Sequence, residues 1–408
     1  MNSPNLDRGT QLFEIGRYKE AIPYFQKGLT EDIDGFSAKY YLAQCFFQTN
    51  DKDKSLTLAL ELRKQFPNVE NIYFLLSQIY LHDENIKEAG LNIDKALEIN
   101  PYEESFFGQK SYIHLSKKEF EKALHAANEG LKINAKSSFC LNARTTALTK
   151  LNRKEEAKSS IEFLLQDDPE DPHSHANVGW SFLENNNTEK ALTHFKEALT
   201  LDPNLEYARS GMLTAIKSKN KIYNLYLRYA FWINNKSEKN QWIFIIGIYL
   251  AYRFSLKLLS ASGLTYLAIP LIIIYLLFAL GSWIIDPLSN MLLIFDKFGK
   301  YLLDKQEKLS GQLFFALLAS AFAMFICSII TNNIYFTLLS LTFLATILPI
   351  TRGVLTDKKN LKAINLSYGL IMILIAIIGP LLGFQIMLIG SIVGVMFIAY
   401  TWIGSFLK

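Results

Sequence analysis

The chain has 408 residues, too many for one ordinary hydrophobic core, and an apolar fraction of 50% with a mean hydropathy of +0.13 is high for a wholly soluble protein. Its formal charge of +4 divides unevenly: residues 1–240 hold 31 Lys+Arg and 33 Asp+Glu, a net of −2, whereas residues 241–408 hold 11 and 5, a net of +6. The first half therefore lacks the clustered positive surface that phosphate binding needs, which argues against nucleic acid as a partner.

From near the N-terminus to about residue 205 the sequence repeats with a period of 34. A small residue recurs at Ala21, Ser55, Ala89, Ala123, Ala157 and Ala191, and a second column reads Pro67, Pro101, Ala135, Pro169 and Pro203. Six units fit. Each holds two blocks of helical apolar spacing, so each is expected to be a pair of antiparallel helices. Small side chains such as Ala191 and Ala198 belong where the axes approach, and Phe195 fills the gap to the next unit. Proline ends the second helix because its ring and missing N–H break the hydrogen-bond ladder. The segments GRYKEAIPYFQKGL at 16–29 and NTEKALTHFKEALTLDPN at 187–204 resemble the second helix and exit turn of the tetratricopeptide repeat (TPR) family. Gly28, Leu62, Gly130 and Leu164 depart from its usual alanine, and the fourth unit lacks its proline.

The resemblance implies an all-α superhelix whose concave face is lined by the first helix of each unit. Carried over position by position, that groove comprises Tyr40, Gln44, Phe74, Gln78, Tyr112, Asn142, Thr146, Asn177 and Trp180. It is aromatic and amide-rich, without the Lys/Asn/Arg columns that clamp a terminal carboxylate in some TPR domains. An extended segment or a helix with neutral polar and apolar anchors is the expected ligand. The alternative for any one aromatic, such as Tyr40 or Phe74, is packing between neighbouring repeats.

After residue 205 the period stops. Residues 206–240 read as a capping helix followed by a Tyr/Trp-rich basic linker of the kind found at membrane interfaces. Six apolar segments follow at about 242–259, 264–285, 311–330, 334–350, 365–384 and 386–407, each near the length that crosses hydrocarbon. The first carries Arg253 and Lys257 and could instead lie in the interface. If all six cross, one side collects Lys236, Lys239, Lys297, Lys300, Lys305, Lys308, Arg352, Lys358, Lys359, Lys362 and Lys408. The opposite connections hold no Lys or Arg. The positive-inside rule makes the basic side cytoplasmic, with both termini and the repeats on it; no apolar signal segment precedes the repeats.

Asp286-Pro287 has the form of a helix start, and a stripe of Leu288, Met291, Leu292, Phe295, Phe298 and Leu302 predicts an interfacial helix near 287–308. Gly379 to Gly383 and Gly390 to Gly394 place small residues four apart, which predicts close packing of the last hairpin; a broken helix at Gly379-Pro380 is the alternative. The segments LRYAFW and DPLSNMLLIFDKFGK resemble bacterial integral membrane proteins that carry TPR arrays, which implies architecture and not chemistry.

No catalytic signature accompanies this. Cys45, Cys140 and Cys327 are distant and lack metal-ligand spacing, which fits a reducing compartment. All six histidines lie in the repeats, where exposed positions are the simplest reading; His173 and His175, two apart, point to different faces. Acidic residues are absent from the middle of every apolar segment, which removes a membrane-embedded proton relay. No cofactor, metal or enzymatic activity is expected. The sequence thus predicts a membrane-anchored scaffold at the bacterial inner membrane, with a protein or peptide in the groove, lipids around the anchor and a second membrane protein as a further possible partner. A transporter or channel subunit, and a membrane enzyme acting on a lipid-linked substrate, are the alternatives.

Overall fold

Two helices pack closely only where both present small side chains, and a 34-residue recurrence of such positions dictates a stack of helix pairs. The computed structural model describes residues 4–30, 36–167, 169–295, 300 and 303–403, and every regular element among them is helical. The chain divides into two compact units, Met1–Met212 with Asn235–Ser237, and Leu213–Asn234 with Glu238–Lys408.

The first unit contains six pairs: α1 Pro4–Glu14 and α2 Tyr18–Gly28; α3 Ser37–Gln48 and α4 Lys52–Gln65; α5 Glu70–His82 and α6 Ile86–Ile99. They continue with α7 Glu104–Ser116 and α8 Phe120–Ile133; α9 Ser138–Lys150 and α10 Lys154–Asp167; α11 Pro172–Glu184 and α12 Thr188–Leu201. The small column from Ala21 to Ala191 is buried throughout. Its partner on the first helices reads Gly9, Ala43, Ser77, Ser111, Thr145 and Gly179. Where that partner is polar, its hydroxyl is satisfied across the seam: Ser77 Oγ donates to the Ala89 carbonyl at 2.9 Å and Ser111 Oγ to that of Ala123 at 2.7 Å. Where it is glycine, an aromatic ring takes the space. A Cβ on Gly9 would lie 2.7 Å from Phe25, and one on Gly179 2.7 Å from Phe195.

Phe195 is fully buried and also reaches the helix after the last pair, α13 (Glu206–Lys217), where a Cβ on Gly211 would stand 2.2 Å from its ring. The departures from the alanine column are absorbed locally. Leu62 and Leu164 are buried in the core, and Gly130 leaves room for Cys140 Sγ, 2.5 Å from where its Cβ would stand. The fourth pair, with Ala135 in place of proline, ends α8 at Ile133 in the same register as the others, so the proline reinforces a stop set by the stack.

Between the two helices of each pair one residue takes a left-handed backbone: Gly16, Asn50, Glu84, Lys118, Asn152 and Asn186, with φ from 58° to 74°. In each turn the next N–H reaches back five residues, as from Asp51 to the Phe46 carbonyl and from Asn187 to that of Phe182, both at 2.8 Å. This is the Schellman closure of a helix C-terminus. The column was in the sequence, blurred by Glu84 and Lys118.

In the second unit, α14 (Lys221–Asn234) carries Tyr223, Tyr226, Tyr229 and Trp232 along one stripe, with successive ring centroids 6.5 Å apart. The remaining helices are α15 Glu238–Ala261, α16 Ala268–Phe295, α17 Lys305–Thr331, α18 Ile334–Leu355, α19 Lys359–Leu381 and α20 Ile386–Ile403. By length and composition α15, α17, α18 and α19 could each cross a membrane. The two limbs of α16, Ala268–Gly281 and Trp283–Phe295, meet at 88° and together would make a fifth span; α20 is apolar but shorter.

Several expectations change here. Asp286-Pro287 does not start a helix: Pro287 lies inside α16, and the change of direction comes before Trp283. The packed face of the second limb is Ile285, Ser289, Asn290 and Leu293, while Leu292 and Phe295 of the expected stripe are exposed. That limb abuts α17 so closely that a Cβ on Gly311 would lie 2.7 Å from the Asn290 and Met291 backbone. Phe298, Leu302, Lys297 and Lys408 lie outside the described residues. Helix α19 runs unbroken through Pro380. Of the four glycines of the last hairpin, Gly379 meets close packing, against Ile389, and Gly383 provides a left-handed turn at φ 86°. A Cβ on Gly390 would be in ordinary contact with Leu338, 3.7 Å away, and one on Gly394 would meet nothing within 4 Å.

Candidate functional site

Residues on the first helices that are not consumed by the seam are those left to meet a ligand. Of the nine expected groove positions on α3, α5, α7, α9 and α11, Asn142 is buried and the other eight are half-buried. Their contacts run both along their own helix and across to the next repeat. Tyr40 stacks on Phe36 with centroids 5.4 Å apart, and Gln44 Nε2 donates to its hydroxyl at 3.1 Å. Phe74 leans on Phe106, and Tyr112 stacks on Phe139 at 5.0 Å. Asn177 Nδ2 donates to Asn142 Oδ1, whose own amide donates to Ser174 Oγ, both at 2.9 Å. Thr146 returns its hydroxyl to the Asn142 carbonyl at 2.9 Å. Trp180 donates Nε1 to the Tyr207 carbonyl at 3.3 Å and lies edge-on to Phe195.

The aromatics of the set therefore seal neighbouring repeats with one side of each ring. Burial pushes the Tyr40 and Tyr112 hydroxyls well above the usual phenol range, so both stay neutral donors. What the face offers is neutral amides, hydroxyls and ring edges, chemistry suited to backbone amides and apolar side chains.

Two features escaped the sequence reading. Lys150 on α9 is paired with Glu184 on α11, both largely buried. They occupy one column a repeat apart, so opposite charges at a 34-residue spacing were the available signal. The second corrects the exposed-histidine reading. His175 is buried, its Nδ1 lies 3.1 Å from His194 Nδ1, and its Nε2 meets the Pro169 carbonyl at 3.0 Å. Burial, then the neighbouring His175, pushes the His194 imidazole down to about 4. Among the described residues no group of three His, Cys, Asp or Glu could hold a metal ion. Cys45 and Cys140 are buried free thiols, and burial raises Cys45 to about 12, far from a nucleophile's range.

The tetratricopeptide repeat family matches residues 12–79, 70–103 and 144–206. The N-terminal half is a TPR array. Among curated proteins it is 27% identical over 244 residues to a DnaJ homolog subfamily C member 7 homolog of Dictyostelium discoideum, covering 54% of this chain and 44% of that one. It is 22% identical over 216 residues to anaphase-promoting complex subunit CDC16 of Saccharomyces cerevisiae, covering 51% and 26%. The chain thus spans less than half the length of these two relatives. A solved TPR protein from Parabacteroides merdae is similar at 16% identity, with a TM-score of 0.46 over 52% of this chain and 83% of that one. The array is a protein-interaction scaffold, as TPR domains bind protein or peptide partners.

Proposed function

We propose that the TPR array binds an extended segment or a helix of a partner protein along the face formed by its first helices, and that the apolar helices of the second unit anchor it in a bacterial inner membrane. The observation that carries the first part is the uniform neutrality of that face: amides and ring edges recur in five successive repeats, and its charged pair, Lys150 with Glu184, is internally satisfied. The anchor reading rests on four long apolar helices. With α16 counted as a span, the one-sided distribution of Lys and Arg in the connections supports a cytoplasmic array by the positive-inside rule. Lipids and a second membrane protein are then the partners of the anchor.

The test is co-purification from gently solubilised membranes of the wild-type chain and of Gln78→Arg. The Gln78 side chain makes no hydrogen bond among the described residues, so the substitution adds bulk and charge to the face without breaking a bond of the seam. Loss of a specific co-purifying protein is expected; an unchanged set of partners at unchanged yield removes the face from the function.

A further inference from the structure

An arginine inside a bilayer persists only where acceptors meet its N–H groups. Arg352 lies three residues before the end of α18, and its Nη1 is buried without a hydrogen-bond partner. The guanidinium lies 5.2 Å from the centre of the Trp283 ring and within reach of the Tyr400 hydroxyl. That hydroxyl donates to Asn365 Oδ1 at 2.7 Å, which leaves Asn365 Nδ2, on a fully buried side chain, without an acceptor. One cluster drawn from α16, α18, α19 and α20 thus holds a permanent positive charge and two unspent donors. The described carboxylates of this unit are engaged elsewhere: Asp286 and Glu307 face Lys217, Asp304 caps α17, and Asp357 accepts from the Gln306 amide.

Next to the cluster is an apolar groove of about 640 Å³. Its walls include Ile284, Leu348 and Phe397, which immediately follow Trp283 or precede Arg352 and Tyr400 by one helical turn. Groove and cluster are therefore contiguous along three helices. Gly390 and Gly394 open the α20 wall, and a Cβ on Gly394 would meet nothing within 4 Å. Along α18 the groove runs from Leu338 to Leu348, about 15 Å at the helical rise. That length suits part of an acyl chain, while about 640 Å³ is roughly half of the ~1,200 Å³ that the same length of a helix about 10 Å across would fill.

We propose that groove and cluster together hold one glycerophospholipid of the surrounding bilayer, an acyl chain in the groove and its phosphate accepting from Arg352 and Asn365. Phosphate supplies both the missing charge and the missing acceptors, and a guanidinium fork matches its geometry. The position near the end of α18, followed by Lys358, Lys359 and Lys362, is that of a headgroup. The proposal rests on the membrane-anchor reading.

The test is native mass spectrometry of the detergent-solubilised full-length chain with dioleoylphosphatidylglycerol, with dioleoylglycerol as the same tails without phosphate, and with inorganic phosphate as competitor. Phosphatidylglycerol is expected to bind at least about tenfold more tightly than dioleoylglycerol, the scale of one charge-assisted contact. Arg352→Gln should erase that preference. Gly394→Leu, whose Cβ would meet nothing within 4 Å, puts a branched side chain into the groove and should weaken both lipids. Equal binding of phosphatidylglycerol by the wild type and both variants, or displacement of the lipid by inorganic phosphate alone, overturns the proposal. Retention of the chain in carbonate-washed membranes is scored separately, so a failure of the anchor reading is distinguishable from a failure of the lipid site.

Discussion

The two halves of this protein bury polar groups in opposite ways. In the TPR array the hydroxyls of the seam are met by a backbone carbonyl or hydroxyl of the adjoining helix, and the solution is repeated: Ser55 to Ala43, Ser77 to Ala89, Ser111 to Ala123, Thr145 with Ser160; Arg144 Nε is the array's one atom among the described residues that is buried without a partner. In the second unit most hydroxyls fold back on their own helix, as Thr342 and Thr351 do onto the carbonyls four residues before. Charges and amides gather in a few irregular clusters that are incompletely paired; Asn290 Oδ1, Arg352 Nη1 and Asn365 Nδ2 are all buried without partners. A periodic array repeats one polar solution inside each helix pair, whereas an apolar bundle keeps polar groups only where they hold helices together or meet something outside the chain.

The sharpest way to break the comparison is at Lys217, which is 6% exposed and lies 3.6 Å from Glu307 and 3.9 Å from Asp286. Lys217 and Glu307 are largely buried while Asp286 is about half exposed, so Lys217→Met leaves one mostly buried carboxylate unpaired and should destabilise the second unit by about 3 kcal/mol. Adding Glu307→Gln to the same chain should recover a good part of that. Thermal unfolding in detergent reads both, and an unchanged midpoint for the single variant would remove the cluster's structural role.

A smaller effect belongs to the array. His194 titrates near 4 in the folded chain against about 6.5 unfolded, so the unfolded state binds more protons between those values. Stability from this group is present above pH 6.5 and is lost as pH falls toward 4, by about 2 kcal/mol, discounting for partial exposure. His194→Phe should flatten the denaturant-midpoint profile between pH 7 and pH 5 relative to the wild type. Identical slopes would mean that the His175–His194 contact does not suppress protonation.

The smallest effect sharpens the periodicity itself. Glu84 is exposed and holds a left-handed backbone at φ 59°, in a column where the first repeat has Gly16. Glu84→Gly should stabilise the array by about 0.5–1 kcal/mol, since the strain relieved outweighs the added chain entropy. A loss of stability would show that the Schellman turn tolerates the Cβ at no cost.

Much of the fold was legible because a 34-residue period imposes one geometry on every copy, so Ala21 to Ala191 could be assigned to the seam from spacing alone. The nine expected groove positions share the first helices, but they are not a set of free side chains. Tyr40, Tyr112 and Trp180 spend one side of each ring on the adjacent repeat, and residue type does not reveal which side. His175 was misread because the partner that buries it, His194, belongs to the other helix of the pair. In the second half, Asp286-Pro287 carried the local chemistry of a helix start. Packing of the second α16 limb against Gly311 keeps that segment helical and moves the bend earlier.

The sequence by itself determined the repeat, its number, the all-helical class and the apolar character of the second half, because these follow from periodicity and composition, which are local and additive. Only the tertiary structure decided which polar groups meet. Phe195 wedged between Gly179 and Gly211, Lys217 between two carboxylates, and Arg352 beside Asn365 and Tyr400 each join residues far apart in the chain. Their energies depend on distance and burial, and no spacing along a sequence encodes either.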